Sequence, residues 1–267
     1  ASHGQTVMHR PDRTGKLPHS TLQIGDGDHI AQLTGIITLS DFRQKHVAAG
    51  GEGAPLAMFG DYFLFSKKGE HRILLNIGGI GNFTYLPASG DPAGILVTDT
   101  GPGNTLIDAA VRRYFNKPFD EDGAIALSGK VDAGILAELM SLSFFKDQFP
   151  KSTGPEYFNL DIVHASISPA DLIATLTEFT AQSIALAMKT YIPSGVDGTV
   201  YVSGGGSKNP VIMARLAETL SPMRRIDSAL GPINTKPDFS TRSAKSAFSD
   251  KNPYPGWIAS HPEVTAI

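Results

Sequence analysis

Asp99-Thr100-Gly101-Pro102-Gly103-Asn104 is the stretch on which the reading of this chain turns. Gly94 to Thr98 before it has the composition of a strand. Thr105 to Phe115 after it sets Leu106, Ile107, Ala110, Val111 and Tyr114 at the spacing of one buried helix face. An acid ending a strand, a glycine turn and then a helix start is where α/β folds gather their chemistry. Such a carboxylate serves as a general base or holds a metal through water. It equally serves as a cap for the next turn, and these residues alone leave both readings open.

Two further glycine turns flank it. Asn76-Ile77-Gly78-Gly79-Ile80-Gly81-Asn82 lies between strand patterns, and its glycines would let backbone N–H groups approach an anion, or simply make a tight hairpin. Ser203-Gly204-Gly205-Gly206-Ser207-Lys208-Asn209-Pro210 repeats the order strand, turn, helix. It would let a flat ligand such as a purine lie on the backbone, or be a flexible connection. None of the three ends in the Gly-Lys-Ser/Thr of a Walker-type loop.

Strand and helix patterns alternate over most of the chain, which predicts an α/β fold. Thr6 to Met8, His71 to Ile77, Asn82 to Leu86 and Thr199 to Val202 read as strands, and Ile36 to Leu39 as a buried one. His29 to Thr34, Val131 to Leu142 and Pro210 to Leu220 read as helices, and Pro55 to Phe65 as an apolar helix or tight loop. The longest helix is predicted over Pro169 to Tyr191, with Ser168 as N-cap, Pro169 at N1 and Asp171 in the first turn. After about Gly231 the periodicity fails, so 231–267, with the only tryptophan, Trp257, is expected to be a divergent or irregular tail.

The 267 residues carry a net charge of −3, with 41% hydrophobic and 18% charged residues. That balance gives no footprint for nucleic acid or an anionic membrane. The absence of cysteine excludes disulfides, thiol nucleophiles and Cys-ligated zinc. No apolar run reaches the ~18 residues of a membrane span, and no leader opens the chain, so a cytoplasmic protein is expected. The chain starts without methionine, already in strand pattern, and residues upstream are expected to be missing.

In this order and spacing the three turns resemble the superfamily of sugar kinases, heat-shock chaperone ATPases and actin. Within it the chain is similar to the 1,6-anhydro-N-acetylmuramic acid kinase family. The resemblance rests on Ser2-His3-Gly4-Gln5-Thr6, Thr21-Leu22-Gln23-Ile24-Gly25-Asp26, Ser40-Asp41-Phe42-Arg43 and Ala48 to Leu56. It continues through the three turns and Pro150-Lys151-Ser152-Thr153-Gly154, covering roughly residues 1–230. It implies a two-lobed, ribonuclease H-like ATPase fold lacking its N-terminal segment. Residues 1–70 would be the rest of the sugar-side lobe, and 71–230 the lobe with the phosphate hairpin, catalytic acid and adenosine motif.

The family uses ATP and Mg2+ to open the anhydro bridge of a cell-wall amino sugar by water addition at C1 while phosphorylating O6. By resemblance, Asp99 is the general base. Gly78 and Gly79 form the second phosphate hairpin, Gly101 and Gly103 shape the loop beside it, and Gly204, Gly205 and Asn209 belong to the adenosine motif. The sugar would lie near His3, Gln5, Asp41, Arg43 and the Gly50 to Pro55 loop with Gly53. Arg43 would pair the lactyl carboxylate in two bonds, and Asp41 would bond sugar hydroxyls. In the alternative, Arg43 and Asp41 pair with each other and His3 is a core histidine. Lys151 would be either solvated or near the cleft. No metal ligand is identified.

Two family features are missing. A Gly-Thr-Ser-x-Asp-Gly phosphate loop would lie before Ala1, and no C-terminal helix is recognisable after Leu230-Gly231. Little kinase activity is therefore expected of this polypeptide alone. The partners expected are the anhydro-sugar and ATP, and a homodimer is allowed. The alternatives are a levoglucosan-type kinase and a non-catalytic nucleotide- or sugar-binding remnant of the fold.

Overall fold

A computed structural model describes residues 1–227 apart from 11, 13–15, 55, 148–149, 165 and 221–223. Pro55 and the 231–267 tail with Trp257 lie outside the described residues. The described residues form two compact units, the first over Ala1–Gly60 and the second over 61–227.

In the first unit β1 (Gln5–Arg10) and β2 (Ser20–Ile24) pair antiparallel, from Gln5 opposite Ile24 to Arg10 opposite Ser20. Helix α1 (Gly27–Thr34) follows. Its N-cap Asp26 accepts the N–H groups of Asp28 (2.7 Å) and His29 (3.2 Å), and Gly35 closes it in the left-handed conformation. Those two backbone bonds, His29 first, hold the Asp26 carboxyl below its ordinary range. Helix α2 (Phe42–Ala48) starts after Asp41, a non-glycine residue at φ 61°.

The strand expected at Ile36 to Leu39 does not form, and Ile37 is 91% exposed. A strand needs a neighbour to take its N–H and C=O groups. Here Thr34 and Thr38 hydroxyls serve Ile36, and Ser2 N–H reaches Leu39 O (2.8 Å).

Helix α3 (Ala57–Phe65) leads into the second unit. There β3 (His71–Ile77), β4 (Ile80–Leu86) and β5 (Leu96–Pro102) form an antiparallel meander. Then come α4 (Thr105–Phe115), α5 (Ala124–Ser128), α6 (Ala133–Met140), α7 (Pro169–Tyr191), β6 (Gly198–Ser203), α8 (Pro210–Leu220) and β7 (Arg224–Asp227). The sheet order is β5-β4-β3-β6-β7, with β6 and β7 parallel to β3. Three antiparallel strands extended by two parallel ones are the sheet expected of a ribonuclease H-like lobe.

The alternation of β3 sets the layers. Ile73, Leu75 and Ile77 are fully buried, whereas Arg72, Leu74 and Asn76 are half-buried on the other face. Helix α7 covers the first face and is buried on nearly every side, as a helix at the centre of a core must be. Ser168 caps it as expected, its hydroxyl accepting Asp171 N–H (3.1 Å). On α4, Leu106, Ile107, Ala110 and Val111 face the core, while Tyr114 stays 46% exposed. The short α5 was not legible as a helix; it forms because buried Asp120 accepts the N–H groups of Ile125 (2.8 Å) and Ala126 (3.0 Å). Among the described residues no helix is long and apolar enough to cross a membrane.

Candidate active site

The three glycine turns meet at the C-terminal end of β3. Gly103, Asn104 and Thr105 send their N–H groups to the carbonyls of Gly79 (2.8 Å), Gly78 (2.8 Å) and Gly79 (3.1 Å). The Asn104 side chain adds bonds to Ile77 O (3.2 Å) and Gly78 O (2.9 Å). The start of α4 is thus tied to the hairpin. A Cβ on Gly103 would collide with the Gly78 carbonyl oxygen, so the approach requires glycine there. The third turn rests on the same place: Gly204 is at φ +84°, and a Cβ on it would lie 2.5 Å from Ile77 O.

The opening stretch differs from its sequence reading. Strand β5 does not end at Asp99 but runs on to Pro102, with Gly101 opposite Gly81 and Asp99 opposite Asn82. One residue, Thr100, is extra, so β5 carries a bulge beside the acid. Gly101, at φ +125°, accommodates it, and Ser183 and Phe145 pack where a side chain would stand.

Register places Ser203, Asn76, Asn82 and Asp99 in one row across β6, β3, β4 and β5. The row lies on the face away from α7, since a Cβ on Gly81, in the adjacent row, would approach Ile184 of α7. Asp99 is half-buried, and its Oδ2 accepts the N–H of Thr153 (2.7 Å). Sequence reasoning quoted Asn76 and Asn82 only as ends of a turn. The signal for their common face was their register with Asp99, which needs the bulge to be known.

Between residues of the second and third turns a cavity of about 430 Å³ is lined by Asn104, Ile107, Asp108, Phe119, Asp120, Glu121, Asp122, Gly205, Lys208 and Asn209. Its size is within the range of small-molecule sites. Gly205 leaves room, with nothing nearer than 3.7 Å to an added Cβ. Asn209 is buried, and its Oδ1 caps α8 by accepting Val211 N–H (3.0 Å) and Ile212 N–H (3.3 Å). Burial pushes the Asp108 carboxyl up, partly opposed by Arg112. Phe119 and the Asp120-Glu121-Asp122 run gave no periodic or motif signal, and sequence reasoning passed over them.

In the first unit three of the five sugar-side candidates come together. Arg43 Nε donates to His3 Nε2 (2.8 Å), and Arg43 Nη1 to the Gly53 carbonyl (3.1 Å). Gly53, at φ +85°, is closely surrounded by Val47, Thr21 and the Arg43 carbonyl. His3 is exposed, so it is not a core histidine. Asp41 accepts the Ser40 hydroxyl (2.8 Å) and lines a separate cavity of about 250 Å³ with Gln23, Asp26 and Asp28. Gln5 stands exposed on β1, its amide bonded to Thr6 O (3.2 Å). Lys151 is not solvated: it is 6% exposed, and its Nζ donates to Phe144 O (2.6 Å).

A family model described as anhydro-N-acetylmuramic acid kinase matches residues 1–236. The anhydro-N-acetylmuramic acid kinase of Pseudoalteromonas atlantica is 48% identical over 228 residues, 81% of this chain and 57% of that protein. The one from Gloeobacter violaceus is 42% identical over 244 residues, 89% of this chain and 63% of its own length. The chain thus spans about three fifths of the length of these relatives. Among solved structures, xylulose kinase from Rhodospirillum rubrum aligns with a TM-score of 0.37 at 19% identity, over 75% of this chain and 41% of that one.

Proposed function

We infer the function from one premise: this chain belongs to the anhydro-N-acetylmuramic acid kinase family. We propose that the protein transfers the γ-phosphoryl group of ATP to O6 of 1,6-anhydro-N-acetylmuramic acid as water opens the anhydro bridge. The observation that carries the proposal is the Asp99 carboxylate, half-buried in a polar row beside three interlocked glycine turns. Asp99 takes a proton from a water whose oxygen bonds to C1, and the C1–O6 bond breaks. O6 then bonds to the γ-phosphorus, and ADP departs with the electrons of the broken P–O bond. The product is N-acetylmuramic acid 6-phosphate, and Asp99 releases its proton to solvent.

The cavity edged by Gly205 and Asn209 supports a nucleoside site, with Gly205 beneath the purine and Gly204 opening the same turn. Magnesium would supply charge neutralisation for the transferring phosphoryl group. Among the described residues no group of three His, Cys, Asp or Glu could hold a metal. Arg43, oriented by His3 and Gly53, would receive the lactyl carboxylate, and Asp41 and Gln5 would bond sugar hydroxyls. We further propose a cytoplasmic location, where ATP is available, and small-molecule partners only, with self-association as a homodimer.

An ADP-release assay with anhydro-N-acetylmuramic acid and with levoglucosan tests this reading. In a full-length form, the Asp99→Asn variant should lose about 10²–10⁴-fold in turnover, the share a general base supplies, while keeping its ATP affinity. Unchanged turnover would remove Asp99 from the mechanism. ATP binding with no turnover of either sugar by the unsubstituted full-length protein would favour a non-catalytic binder.

A further inference from the structure

Strand β5 is an edge of the sheet, and its outer side would present unpaired backbone groups. At Thr98 and Asp99 that edge is covered by Lys151. The Lys151 carbonyl accepts Asp99 N–H (3.0 Å) and the Thr98 hydroxyl (3.2 Å), and Lys151 N–H donates to that hydroxyl (3.4 Å). Two residues on, Thr153 N–H lies on Asp99 Oδ2 (2.7 Å). The Pro150–Gly154 segment therefore lies along the edge of the sheet and holds the acid from the side.

The anchor of this segment is a buried ammonium. Lys151 Nζ donates to Phe144 O and sits 4.2 Å from the Phe144 ring centroid, with the rings of Phe145 and Tyr191 each 5.9 Å away. Phe145 stacks edge-on to Phe179 of α7 and fills the space over Gly101, so this pocket belongs to the core face. Burial pushes the Tyr191 phenol up, and the Asp147 carboxylate pushes it further. Burying a lysine head is costly unless it is bonded and faces ring π-clouds, as this one is. A solvated lysine would serve the edge of β5 equally well through its backbone. The side chain's position in the core therefore calls for a role.

We propose that Lys151 is a positioning residue for the Asp99 carboxylate: its ammonium, held among Phe144, Phe145 and Tyr191, fixes the Pro150–Gly154 segment so that Thr153 N–H stays on Asp99 Oδ2. The proposal rests on the reading of Asp99 as the base. Lys151 acts through the Thr153 N–H and touches neither sugar nor nucleotide. The Thr153 N–H on Oδ2 restrains the rotamer of the base and so the direction in which it faces the water.

The test is the titration of Asp99 in the chain labelled with 13C at aspartate carboxyl carbons. An N–H on a carboxylate favours its charged form, so losing it should raise the Asp99 midpoint by about one unit. Lys151→Met and Thr153→Pro are each expected to give that rise, and the double variant no more than either alone. Lys151→Met should also speed hydrogen exchange at the Thr153 amide. A folded Lys151→Met with an unchanged Asp99 midpoint overturns the proposal. So does a double variant whose shift equals the sum of the two, since Lys151 would then act only by its charge. If Lys151→Met does not fold, Phe144→Leu takes its place: it keeps the ammonium but removes the ring beneath it, and no rise at Asp99 would again overturn the proposal. The titration needs neither sugar nor ATP. Its failure leaves the catalytic role of Asp99 standing, and failure of that role in the turnover assay leaves the titration result standing.

Discussion

The glycines at this site are not interchangeable, and each makes a separate prediction. Gly103→Ala puts a methyl group against the Gly78 carbonyl oxygen, a backbone atom that cannot move alone. It should lower stability by about 1–3 kcal/mol, as overpacking does, read from the urea midpoint. Gly205→Ala meets nothing nearer than Asn104 Nδ2 at 3.7 Å, an ordinary contact, and should leave that midpoint in place, while weakening ATP binding measured by calorimetry because its methyl enters the cavity. Equal melting of the two variants would contradict the interlock. Asp108 adds a pH prediction. Its folded carboxyl holds a proton more tightly than the unfolded chain does, so ionisation there opposes folding. The penalty is absent below the ordinary carboxylate range and full once pH exceeds the raised folded value. Asp108→Asn should therefore raise the Tm at neutral pH, with the difference vanishing toward about pH 3.

Elements whose signals are local were legible. Helices α4, α7 and α8 occupy the predicted residues because periodic apolar faces and a Ser-Pro start are properties of neighbouring residues. What depended on distant partners was not legible. Gly101-Pro102 reads as a turn, yet it continues β5, because Gly81 opposite it tolerates the bulge. Ile36 to Leu39 has strand composition but lacks a strand neighbour among the described residues. The roles of Lys151 and Thr153 depend on Phe144, Tyr191 and Asp99, up to 54 positions away. One contact tests how α7 supports the site. Its buried Thr180 hydroxyl donates to Gly103 O (2.7 Å). Thr180→Val keeps the shape but leaves that carbonyl unbonded, and should cost about 1–3 kcal/mol in chemical denaturation. No loss would show that the second turn does not depend on α7.

At the scale of the whole chain, stability is unevenly shared. Every member of the main buried cluster lies between Ile73 and Leu220, whereas the first unit leaves Leu33, Ile36, Ile37 and Leu39 exposed. Local opening follows buried contact density. Amides of residues 1–60 should thus exchange well before those of β3, β4 and α7, read by mass spectrometry; equal protection would refute this. The knot of bonds joining Gly78, Gly79, Gly103 and Asn104 has a further, kinetic consequence. Its backbone is held by its own hydrogen bonds, so this corner has no slow rearrangement to complete when nucleotide enters. Capture of ATP there should proceed as a single concentration-dependent phase in stopped-flow mixing, with no limiting rate at saturation from this part of the protein.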